Sequence, residues 1–132
     1  MPLALNFMNT HYLLLVAAAV LAFIGAIHSY LGERFVLRPL FALPNLPKLR
    51  GSRDYMENVL RFAWHLTSVA WWGAAGTLVV LWRGQGVAAI GAVLAVTFAI
   101  HGVVIVTARG GTRHPAWPLF LLAAAAIWLG TH

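Results

Sequence analysis

The sequence predicts an all-α fold: a four-transmembrane-helix bundle with up-down topology and both termini outside. Three observations carry that expectation. Of the 132 residues, 61% are hydrophobic and only 9% charged, whereas a water-soluble domain carries roughly a quarter charged residues. The apolar residues gather into four runs, with mean hydropathy of the whole chain at +0.82. The basic residues collect on alternate connections between those runs, which is how loop charge sets orientation in a bilayer. The length suits one integral membrane domain covering residues 1–132.

The first run spans 12–31, close to the roughly 20 residues a helix needs to cross a hydrocarbon core. No Lys or Arg precedes Arg34, so the basic n-region of a secretory signal is missing and the run reads as a retained span. The connection that follows contains Pro39, Pro44 and Pro47. It mixes Phe35, Leu37, Leu40, Phe41 and Leu43 with Arg38, Lys48, Arg50 and Arg53, the composition of a strip lying at a membrane surface. The second run spans 59–82. Arg83, Gly84, Gln85 and Gly86 then make a tight turn, so the second helix and the third, 87–108, should be antiparallel neighbours. Residues 109–114 form another short link. The fourth run, 115–131, is shorter and opens on Pro115 and Pro118. It is expected to stand with little tilt, thin the bilayer locally, or lie partly at the interface.

Charge orients this arrangement. Arg34, Arg38, Lys48, Arg50, Arg53 and Arg61 lie in or beside the first connection, and Arg109 and Arg113 in the third; only Arg83 lies in the second. The positive-inside rule therefore puts connections one and three in the cytoplasm of a multi-pass protein of a bacterial inner membrane. The net charge of +6 does not read as a nucleic-acid signal, because the basic residues sit between apolar runs and not on one helix face. With no cysteine there is no disulfide frame or thiolate chemistry. The partner implied is the lipid bilayer, with a homo-oligomer or a larger membrane complex as further possibilities.

Polar groups in hydrocarbon are costly and so mark partners or sites. His28, His65 and His101 fall on three different helices. Counted at about 1.5 Å per residue, they lie roughly 5, 9 and 10 Å in from the cytoplasmic helix ends. That common depth predicts one shared site. Gly25, His28 and Gly32 form a stripe on the first helix where a neighbour can come close. Arg61, His65, Ser68 and Trp72 share a face of the second helix, and Thr97 and His101 are one turn apart on the third. Three imidazoles, with Glu33 at the lip, suit a transition metal ion with an open position. His65 and His101 alone suit a haem, and a chain of His and Glu suits a proton relay. Against these stands a structural role, in which each ring bonds to a neighbouring helix. Arg61 is expected to snorkel to the headgroups, and Glu33 to pair with Arg61 or Arg109. His114 and His132 should be solvated, His11 with Asn9 and Thr10 at the outer interface, and the tryptophans packing or interfacial anchors. No catalytic motif is present. The function expected is a histidine site binding a metal or haem; the alternatives are a non-catalytic accessory or assembly subunit and a small proton-coupled transporter.

The strings His28-Ser29-Tyr30-Leu31-Gly32-Glu33-Arg34, Arg61-Phe62-Ala63-Trp64-His65-Leu66-Thr67 and His114-Pro115-Ala116-Trp117-Pro118-Leu119-Phe120 resemble a group of small four-helix bacterial integral membrane proteins. The resemblance covers nearly the whole chain. It implies a bacterial four-helix membrane protein and singles out His28, Glu33, Arg61 and His65, but it transfers no catalytic or ligand role.

Overall fold

Helix dominates because no long segment alternates polar with apolar, and an apolar backbone stretch satisfies its hydrogen bonds most readily within itself. The computed structural model describes the backbone from Pro2 to His132 and side chains from His11 onward. The side chains of Asn9 and Thr10 lie outside the described residues. Four long helices form: α1 (Pro2–Leu31), α3 (Arg53–Trp82), α4 (Val87–Thr107) and α5 (Ala116–Thr131). A short α2 (Arg38–Phe41) extends α1 through a π-helical segment, Gly32–Leu37. No strand occurs among the described residues; Leu49 and Ser52 make an isolated bridge.

Three boundaries differ from the sequence expectation. The first helix begins at Pro2 and not at 12. The first helix does not stop at Leu31: the π segment and α2 carry helical backbone through to Phe41, with the Arg38 amide bonding to the Glu33 carbonyl five residues back. The region expected as a surface strip is thus helical to Phe41, and only residues 42–52 turn. The second helix begins at Arg53 and not at 59, because Ser52 caps it. The Ser52 Oγ accepts a hydrogen bond from the Tyr55 amide at 3.2 Å, which satisfies an N–H that the first turn cannot pair internally. Arg53 then closes the turn. Its Nε bonds to Glu57 at 2.8 Å, one Nη to the Pro44 carbonyl at 3.2 Å and the other to the Phe41 carbonyl.

The helices pack as two pairs, α1 on α3 and α4 on α5, joined along α3 and α4. Phe62, Leu66 and Ile105 form the buried cluster at that junction, with Trp117 and Phe120 of α5 against it. Arg50 donates to the Arg113 carbonyl at 3.0 Å, and Arg109 stands 4.0 Å from Asp54. The first and third connections, which hold most of the cations, therefore meet at one end. At the other end the His11 ring reaches the Trp82 carbonyl, and Gly91 faces Thr131.

Two helical segments, His11–Phe41 and Val87–Thr107, are long and apolar enough to cross a membrane, and Ala116–Thr131 is a shorter apolar helix. Only 11% of the most apolar stretch of the first is buried by the rest of the chain. A core helix of a soluble protein would be mostly covered; here Leu13, Val16, Val20, Phe23 and Tyr30 stand exposed, which suits a lipid surround. α3 is long but less apolar, because Arg61, His65 and Ser68 interrupt it. The interruption is where the helix meets α1.

Candidate polar site between α1 and α3

The stripes expected on the first two long helices face each other. Glu33, in the π segment, is the centre. Its Oε2 lies 3.2 Å from Arg61 Nε and 3.5 Å from His65 Nε2, and its Oε1 accepts from Arg38 Nε at 3.4 Å. The other ring nitrogen of His65, Nδ1, is 3.0 Å from Ser29 Oγ, and Ser29 donates to Ser68 Oγ at 2.8 Å. Ser68 is wholly buried. A chain of carboxylate, imidazole and two hydroxyls thus runs from the arginine-rich end into the α1–α3 interface and ends on Ser68. Arg61 does not simply snorkel: it pairs with Glu33 and lies over the Phe41 ring, 4.9 Å from its centroid. Of the two partners expected for Glu33, Arg61 is found, whereas Arg109 turns to Asp54.

Two indoles complete the interface. Trp64 Nε1 donates to the His28 carbonyl and Trp72 Nε1 to the Ala22 carbonyl, each at 3.0 Å. Both indoles lie over glycines. A methyl at Gly32 would overlap the Trp64 ring, and one at Gly25 would come within 2.6 Å of Trp72 Nε1. The small-residue stripe thus admits a close neighbour as expected, and that neighbour is tryptophan. Sequence alone marks these tryptophans as packing or interfacial anchors and does not reveal that they bond to the facing backbone. The signal was available: Trp64 and Trp72 fall opposite Gly32 and Gly25 once the two helices are set antiparallel.

The shared histidine site is not assembled. Only His65 enters the Glu33 network. His28 stacks on Trp64 at 4.6 Å between centroids, with the Trp71 edge at 5.0 Å, and its buried Nε2 has no hydrogen-bond partner. His101 is buried on the α5 side of α4. Its Nδ1 bonds to its own helix, at the Thr97 carbonyl 2.7 Å away, and its ring packs on Phe98 and Phe120. Among the described residues no three His, Cys, Asp or Glu gather as a metal ion would need. The ring positions give the expected transition-metal site no common centre, and His65 and His101 do not face each other as haem ligands would. Equal depth failed as a guide because α1 and α4 pack on different sides of α3.

His114, expected in solvent, is half-buried with its edge on Phe62 at 5.3 Å, and its Nδ1 accepts from the Ala116 amide at 3.3 Å. His132 is exposed, stacked on Trp128. Comparison with protein-family models, curated proteins and solved structures finds no match to this chain.

Proposed function

We propose that the chain is a four-span protein of a bacterial inner membrane, with both ends outside, serving as a non-catalytic accessory or assembly subunit of a larger membrane complex. Its intramembrane polar groups lock α1 on α3 in place of holding a cofactor. Four long helices, two of them long and apolar enough to cross a membrane, a cationic end that gathers the first and third connections, and the largely uncovered surface of α1 support the membrane part of the reading. One observation carries the structural part: both ring nitrogens of His65 are committed inside the protein, to Glu33 and to Ser29. Hydrogen bonds across membrane helices typically contribute about 1 kcal/mol each, so this interface is worth several such bonds only when complete.

His65→Ala is expected to lower stability in detergent by about 1–2 kcal/mol, with no change in bound metal or haem absorption. His101→Ala should act separately, through α4–α5 packing. A stoichiometric metal or haem in the purified protein that disappears with His65→Ala and His101→Ala would contradict the reading. Site-directed cross-linking from the lipid-facing side of α1 should recover one constant partner protein; cross-links to lipid alone would remove the accessory role.

A second reading is favoured by the series Glu33, His65, Ser29 and Ser68, whose groups are of the kind that pass protons. On that reading the chain is a small proton-coupled transporter. Purified protein in vesicles should then show flux that follows a pH gradient and falls with Glu33→Gln. Absence of such flux in sealed vesicles removes it.

A further inference from the structure

A groove of about 610 Å³ opens along α1 beside its seam with α3, at the cationic end. Arg34, Arg38 and Glu33 line its head, Ser29 and Tyr30 its middle, and Ala26 and Trp72 its foot. From Arg38 to Ala26 the helix rises roughly 18 Å at α-helical pitch, somewhat less with the π segment included. Polarity therefore changes from charged to apolar over about the length of a lipid headgroup and the first half of an acyl chain.

The charges at the head are not balanced among the described residues. Glu33 is held by Arg61 and Arg38, so its carboxylate is already compensated. Arg38 nevertheless keeps 70% of its side chain exposed. Arg34 makes no ion pair among the described residues, its guanidinium resting 5.6 Å over the Phe35 ring. Three guanidiniums to one carboxylate leave room for an anion, and a guanidinium fork matches phosphate oxygens well. An acidic protein segment would satisfy the arginines but leave the foot at Ala26 and Trp72 unmatched. The indole at that foot is 45% exposed, and its N–H is already spent on the Ala22 carbonyl. What it offers is an apolar ring face.

We infer that this groove binds an anionic phospholipid, its phosphate on Arg34 and Arg38 and one acyl chain running past Ala26 to Trp72. The inference rests on the membrane reading above. Basic pockets at the cytoplasmic ends of membrane helices favour such headgroups, at about fivefold in affinity per arginine and so about 25-fold for two.

The test uses the full chain in detergent, titrated with phosphatidylglycerol, phosphatidylcholine or inorganic phosphate and followed by native mass spectrometry. Phosphatidylglycerol should be retained well above phosphatidylcholine, and inorganic phosphate should neither bind nor displace it at equal concentration. Arg34→Gln should cut retention about fivefold, and Arg34→Gln with Arg38→Gln about 25-fold. Arg83→Gln, at the opposite end, should leave it unchanged. Arg34→Gln removes no ion pair among the described residues, so its melting temperature should match the wild type, and a loss of lipid at unchanged melting is not unfolding. Phosphatidylglycerol brominated on the chain should quench tryptophan emission in the wild type and less in Trp72→Phe. Equal retention of both lipids, or unchanged retention in the double arginine variant, overturns the inference. Full displacement by inorganic phosphate would assign the site to a free anion and overturn it equally. Alkaline washing of membranes separates the two levels: release of the protein defeats the membrane reading, whereas a retained protein without headgroup preference defeats the lipid site alone.

Discussion

Gly32→Ala is expected to destabilise the protein by about 2–3 kcal/mol, as overpacking of a well-filled interface does. The added methyl would overlap the Trp64 indole, which cannot retreat without breaking its hydrogen bond to the His28 carbonyl and disturbing its stack on the His28 ring. The cost therefore combines a clash, a lost bond and a displaced aromatic contact. Unfolding in a denaturing detergent titration measures it. Gly130→Ala is the matched control: it also lies in a helix, a methyl there would meet nothing within 4 Å, and the change should be neutral or slightly stabilising. Combining Gly32→Ala with Trp64→Ala should recover part of the loss relative to the sum of the single changes, because one removes what the other strikes. Strict additivity would mean that the two do not touch.

Glu33→Ala should be comparably harmful, at about 2 kcal/mol. Removing one partner from a fully buried ion pair costs about 3–5 kcal/mol. Here the Glu33 side chain is 24% exposed and that of Arg61 41%, so solvent screens part of the loss. The change leaves Arg61 and Arg38 without their carboxylate and frees one nitrogen of His65. Glu33→Gln should recover part of the stability through its amide oxygen, while a charge remains missing. The double variant Glu33→Ala with Arg61→Ala should be less damaged than Glu33→Ala and Arg61→Ala summed. If Glu33→Ala melts like the wild type, the carboxylate is not the centre of the α1–α3 interface.

The parts of this interface that sequence made legible are those set by helical spacing. Arg61, His65, Ser68 and Trp72 recur at one-turn intervals, so they share a face whatever surrounds them. Gly25 and Gly32, seven apart on the first helix, mark where a neighbour can approach. Together they pointed to the stripe-on-stripe contact that the structure contains. What spacing could not supply is the angular order of helices around α3. His28, His65 and His101 have similar depths, and depth follows from rise alone. Whether the rings meet depends on which side of α3 each neighbour occupies, and that is decided by packing among Phe62, Leu66, Ile105 and Phe120. The helix boundaries failed for a different reason. Arg53 to Asn58 is polar and reads as loop by hydropathy, yet the Ser52 cap and the Arg53–Glu57 pair support a helical start. The π segment has no compositional signature, and by composition Phe35 and Leu37 belong to a surface strip. Sequence does locate Glu33 and its need for a cationic partner, because a carboxylate at a helix end demands compensation, but it leaves Arg61 and Arg109 as alternatives, of which the structure contains the Arg61 pair.

On the proposed reading the chain crosses the membrane four times with its arginine-rich end in the cytoplasm. Because the sequence contains no cysteine, single cysteines introduced at Asn45, Gln85 and Thr112 can be labelled cleanly in intact cells with a membrane-impermeant maleimide. Gln85→Cys should react from outside, whereas Asn45→Cys and Thr112→Cys should react only after the membrane is permeabilised. Labelling of Asn45→Cys or Thr112→Cys in intact cells, or protection of Gln85→Cys, would contradict it.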